Sequence, residues 1–120
     1  MGLDMFAYKT KDGLVQAVDF KVENCHEIHY WRKHPNLHGW MEELYYRKGG
    51  AARFNCVPVT LDAAELDELE QVLRAGKLPE TEGFFFGAST GEELEDDLTF
   101  IEKARQAIAE GYTVFYDSWW

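Results

Sequence analysis

The chain has 120 residues, 46% hydrophobic and 15% aromatic, with a formal charge of −10. That is one domain, 1–120, able to bury roughly two-thirds of the surface its unfolded chain exposes, and too apolar for disorder. No apolar run approaches the ~20 residues a bilayer span needs, and the acidic balance disfavours direct nucleic-acid binding, which takes clustered Lys and Arg.

The acidity is confined to one half. Residues 1–50 carry seven cations and seven anions, whereas residues 51–120 carry five cations and fifteen anions. Such a field suits a basic partner, or simple solvation of helix faces. The opening "MGLDMFAYKTKDG" lacks the basic and apolar regions of a signal peptide, so a cytoplasmic protein with reduced Cys25 and Cys56 is expected.

In chain order, "LDMFAYKT" alternates Leu3, Met5 and Ala7 against Phe6 and Tyr8, which reads as a strand. "KDG" at 11–13 signals a turn, and "VQAVDFKV" (15–22) would complete a hairpin. "EIHYWRK" (27–33) sets Ile28, Tyr30 and Arg32 against His29, Trp31 and Lys33. Pro35 fits only the first position of a helix, where its missing N–H costs nothing. Leu37, Trp40, Met41, Leu44, Tyr45 and Lys48 then form one stripe, and Gly49-Gly50 ends it. Pro58 confines "CVPVT" (56–60) to a sheet edge or to no strand.

Thr60 is the expected cap of a second helix with Leu61, Ala64, Leu69, Val72 and Leu73 on its apolar side and Gly76 at its end. "KLPETEGFFFGAST" (77–90) is a loop. Thr90 with Glu93 matches a capping box for a third helix, whose expected stripe is Leu94, Leu98, Ile101, Ala104 and Ile108. Gly111 stops it, and "YTVFYDSWW" reads as a last strand. The fold class is α+β: a small antiparallel sheet covered by about three helices.

"MGLDM", "YWRK" followed by His38 and Trp40, "GFFFG" after an "LP" loop, and "YDSWW" resemble a family of small proteins found in bacteriophages and, as prophage genes, in bacterial genomes. The resemblance spans nearly the whole chain and implies no activity. The family often has Tyr where Phe6 stands and Ser-Ser-Trp where Asp117-Ser118-Trp119 stands. His34, Pro35 and Gly39 depart from its more regular pattern, and His38 matches it.

Chemistry-bearing residues are many, but complete constellations are lacking. His34 and His38 share helical spacing, but Pro35 stands where the zinc pattern has Glu, and His34 falls at the cap. His26 and His29 point to opposite faces of a strand. No metal, cofactor or catalytic residue is therefore assigned. Cys56 has an apolar context that reads as an inert thiol, and Ser118 lacks a nucleophile elbow. "GASTG" (87–91) resembles an anion nest, but the acidic run that follows would repel an anion.

Tyr30, Trp31, Trp40, Phe84, Phe85, Phe86, Trp119 and Trp120 are more aromatic surface than one small core easily hides. The candidate site is the strand–helix junction: Trp31, Arg32, Lys33, His38 and Trp40, meeting Phe85 of the loop and Ser118 and Trp119 of the C-terminus. A second candidate surface is the acidic face Glu92, Glu95 and Asp96. The functional expectation is a non-enzymatic phage or prophage accessory protein that binds a basic surface of a host protein, an anti-defence, anti-CRISPR-like inhibitor being one instance. The alternative is a small-molecule-binding or enzymatic domain using the aromatic junction.

Overall fold

The computed structural model describes residues 2–83 and 87–120. Phe84, Phe85 and Phe86, the centre of the aromatic loop, lie outside the described residues. The elements run β1 (Asp4–Thr10), β2 (His26–Arg32), α1 (Pro35–Arg47), β3 (Val59–Leu61), α2 (Ala63–Ala75), α3 (Leu94–Ala109) and β4 (Thr113–Trp119). The four strands form one antiparallel sheet in the order β2-β1-β4-β3, and the class is α+β.

Strand alternation sorts the sheet into two unlike faces. Met5 and Ala7 of β1, Trp31 of β2 and Val114 and Tyr116 of β4 enter the core with the helices' apolar sides. The opposite face carries a run of rings. Phe6 lies 5.3 Å from Tyr30 and 5.9 Å from Tyr8, and Tyr8 and Phe20 lie 5.3 and 5.2 Å from Phe115.

The expected hairpin strand at 15–22 is not a strand. Val18 makes one isolated bridge to Val59, and Asp19 adopts φ 54°, which no strand accommodates. The segment lies beside the edge strand β3 instead, with backbone bonds from Asp19 to Pro58 and from Thr60 to Ala17, and it places Val18 in the core and Phe20 edge-on to Phe115. The strands beside β1 are β2 and β4.

Helix α1 starts at Pro35, with His34 as its cap, and buries Leu37, His38, Trp40, Met41, Leu44 and Tyr45. Its exit is tight: a side chain at Gly50 would run into the Tyr45 ring. Helix α2 is capped by Asp62 rather than Thr60. Asp62 and Glu65 form a reciprocal capping box, because Thr60 and Leu61 are already committed to β3. Leu66 joins Leu69 and Leu73 in its buried side, and Ala64 is exposed. Lys48 reaches from the end of α1 to the Thr60 carbonyl at 2.7 Å and to Glu65 at 2.7 Å, tying both helices to β3.

In α3 the expected stripe is found except at one position: Ile101 and Ala104 are buried and Leu98 and Ile108 pack against the core, whereas Leu94 is exposed. The buried side also takes in Asp97, Phe100 and Ala107, and the Asp97 carboxylate has partners inside. Thr90 and Glu93 do bond one another, with the Thr90 N–H donating to the Glu93 carboxylate at 3.0 Å, but the pair closes a turn ahead of Leu94.

Trp40 is 6% exposed in the middle of α1. Trp40→Ala should cost about 3–5 kcal/mol, read as a lowered urea midpoint; a loss below ~1 kcal/mol would show that the stripe does not carry the core.

Candidate functional site

The strand–helix junction is built by one strained residue and one buried one. Lys33 turns the chain at φ 55° and donates its backbone N–H to the Leu3 carbonyl at 2.8 Å. His34 follows at the cap of α1, 4% exposed. The cap position is the one expected from Pro35, and the structure adds that the ring there is buried.

His34 is the hub of a polar cluster. Its Nε2 lies 2.9 Å from Asp97 Oδ2, and its Nδ1 lies 2.7 Å from Ser89 Oγ and 3.1 Å from Glu93 Oε2. The second Asp97 oxygen accepts from the Trp31 indole N–H at 3.0 Å. Ser89 Oγ also accepts the backbone N–H of Asn36, in the first turn of α1, at 3.1 Å. Burial pushes the Glu93 carboxyl upward, but the Thr90 donors, the charge of His34 and the Gly91 N–H outweigh it and leave Glu93 below the usual carboxylate range.

Two clefts flank this cluster. One, of about 160 Å³, is lined by His34, Asn36, Ser89, Glu93 and Asp97 with Leu73, Leu78 and Leu94. The other, of about 260 Å³, is lined by Tyr30, Trp31, Arg32, Lys33, His34, Glu93 and Asp96.

The residues expected to form one aromatic edge are divided among three places. Trp31, His38, Trp40 and Ser118 are buried. Arg32 and Trp119 lie on the helix-free face on either side of Asp4, which each of them pairs in the sheet. Asp4 accepts from Arg32 at 2.9 Å and from the Tyr30 hydroxyl at 2.6 Å, and Trp119 is 67% exposed. Lys33 occupies the turn, and the position next to it is the end of the aromatic loop, since a side chain at Gly87 would touch Lys33. The junction therefore does meet that loop, at Gly87 and Ser89; Phe85 lies outside the described residues.

On the acidic run, Glu92, Glu95 and Asp96 are exposed as expected. Asp96 Oδ2 is also 3.1 Å from His29 Nε2, an ion-pair distance in an orientation that makes no hydrogen bond. Glu93 and Asp97, four apart, turn inward to His34. Sequence reasoning weighed "GASTG", His34 and the acidic run separately and missed that they converge. The available signal was an i, i+4 carboxylate pair behind a Ser/Thr loop.

His38 is a different buried histidine. Its Nδ1 lies 2.7 Å from the Tyr116 hydroxyl, and burial lowers its pKa from 6.5 to about 4. Cys25 and Cys56 are exposed free thiols, not buried ones. Partial burial and the charge of Asp117 raise both above the ordinary thiol range, which makes them poor nucleophiles. Among the described residues no group of three His, Cys, Asp or Glu is arranged to hold a metal ion, and no helix is long and apolar enough to cross a membrane. No family model, curated protein or solved structure matches the chain.

Two outcomes test this geometry. His34→Ala leaves the buried Asp97 with the Trp31 indole alone and should cost about 3–5 kcal/mol, as a broken buried pair does. A double-mutant cycle with Asp97→Asn should give a coupling of about 0.5–3 kcal/mol; strict additivity would mean the pair is not formed.

The second outcome is a pH dependence. His38 binds a proton less readily folded than unfolded, so its contribution is complete above 6.5 and is lost as pH falls towards about 4, an effect of at most about 3 kcal/mol. Glu42 and Asp117, raised by burial, act in the opposite sense at the acid end. The difference between the parent and His38→Gln isolates the histidine, and an unchanged stability–pH slope in the variant would remove it as the source.

Proposed function

We propose that the chain is a phage- or prophage-type accessory protein that binds a host protein. Its contact surface runs from Trp119, Arg32 and Tyr30 on the helix-free sheet face to Glu92, Glu95 and Asp96 at the head of α3. The observation that carries this reading is that Tyr30 and Arg32 of β2 and Asp96 of α3 line one cleft. Exposed aromatics and Arg are the usual anchors of interfaces, and an outward acidic face steers a basic partner. Fifteen anions against five cations in residues 51–120 supply the field. A basic groove that otherwise holds nucleic acid, as on a defence nuclease, is the chemistry such a face competes for. The resemblance to phage proteins supports the setting.

A small-molecule pocket built from Trp31, His38 and Trp40 has less support, because these side chains are spent on packing.

The test is capture from host lysate at low salt, followed by the double variant Glu92→Lys, Glu95→Lys. These two carboxylates face solvent, whereas Asp96 sits beside His29, so the pair reverses charge without touching the buried cluster. The captured partner should bind at least about tenfold more weakly, a ~1.4 kcal/mol loss, with a flatter salt dependence and an unchanged circular-dichroism spectrum. Equal binding by the variant and by Trp119→Ala would remove this surface from the interaction.

A further inference from the structure

We propose that Ser89, His34 and Asp97 form a nucleophile relay that is acylated at Ser89 by small uncharged esters held in the neighbouring 160 Å³ cleft. The inference is independent of the protein-binding reading and concerns a different set of side chains.

Three groups with separate origins meet in the order this chemistry needs. Ser89 is in the loop before α3, His34 caps α1, and Asp97 is on α3. Ser89 Oγ is 2.7 Å from one ring nitrogen of His34, and Asp97 Oδ2 is 2.9 Å from the other. A serine hydroxyl is a weak nucleophile until a base takes its proton, and the base needs a third group to fix its ring. Asp97 does that and is itself fixed: it is 1% exposed, and its other oxygen holds the Trp31 indole N–H. Asp97 and Trp31 are positioning residues; Ser89 and His34 are the catalytic ones.

The surroundings fit an ester. Leu73, Leu78 and Leu94 give the cleft apolar walls for a short acyl chain. The Asn36 N–H, already on Ser89 Oγ, belongs to the first turn of α1, a turn without acidic residues. It brings the positive end of the helix dipole beside Ser89 Oγ. Glu93 Oε2 lies 3.1 Å from the same His34 nitrogen and lines the cleft. It disfavours anionic substrates, which sets the class as uncharged.

In the step, Ser89 Oγ adds to the ester carbonyl carbon while its proton passes to His34 Nδ1. The tetrahedral adduct collapses, the C–O bond to the alcohol breaks, and the alcohol leaves with the proton from His34. Water then attacks the acyl-Ser89 ester by the same exchange, releasing a carboxylic acid and restoring the hydroxyl.

The test uses the full chain with a fluorophosphonate, read by peptide mass mapping, and p-nitrophenyl acetate, read for a burst. Ser89 and Ser118 are the two serines of the chain, and Ser118 is 3% exposed, so the site of labelling is unambiguous. Ser89 should be modified at least about 100-fold faster in the folded chain than in urea, the lower end of what a positioned general base supplies. The burst should disappear in Ser89→Ala. His34→Gln should lose the labelling; if that variant does not fold, the folded-against-urea ratio decides alone. Labelling of Ser89 no faster than in urea, or a burst that survives Ser89→Ala, overturns the proposal and leaves the cluster a purely structural tie.

Discussion

The contact between His34 and Asp97 joins the two halves of this chain, 63 positions apart, and the placement of α3 depends on it. Removing a carboxylate from water costs several kcal/mol unless its oxygens are all engaged. Here both are, one by the imidazole and one by the Trp31 indole. Once Asp97 is inside, helical geometry dictates the rest. Phe100, Ile101, Ala104 and Ala107 follow it into the core, Glu93 one turn earlier comes to the same histidine, and Glu92 and Glu95 are left outside. A single acidic run is thereby divided into two inward and three outward carboxylates.

Strand alternation does comparable work in the sheet. The "YWR" of β2 sends Trp31 towards Asp97 and Phe100 and sends Tyr30 and Arg32 to Asp4 on the other side. At the C-terminus the same rule buries Ser118 and exposes Trp119. Trp120, just past β4, is drawn back by Asn55 and by the Phe54 carbonyl, with Arg53 4.6 Å over its ring. Among the described residues, the density of aromatics in the strands is explained by a sheet that uses rings on both faces.

Most of this scaffold was legible from local rules. Pro35, the glycine pair after α1, the edge position implied by Pro58 and the alternation in β1 and β2 each depend on neighbours in sequence, and each is found where those rules place it. The misses share a cause in tertiary partners. Residues 15–22 have strand composition, but Asp19 takes a positive φ where its backbone N–H meets the Pro58 carbonyl and its carboxylate receives the Tyr45 hydroxyl. Helix α3 keeps its apolar stripe except at Leu94, and the buried Asp97 beside it could not be read from apolar periodicity. His34 read as a surface cap because its partners lie 55 and 63 positions away. The candidate site was half legible: the junction was identified, and which of its residues face a ligand was not, because burial at a junction is decided by what packs over it.

The same division makes the two functional readings physically separable. His34 and Glu93 wall both clefts, so the inner cleft beside Ser89 and the outer one beside Tyr30 and Arg32 share a partition. Ser89, Asn36 and Asp97 face only the inner side, and Arg32, Lys33 and Asp96 only the outer. Charge reversal at Glu92 and Glu95 alters the field outside the partition without removing any hydrogen bond to His34. Loss of the Ser89 hydroxyl removes a partner of His34 while leaving the outward carboxylates in place.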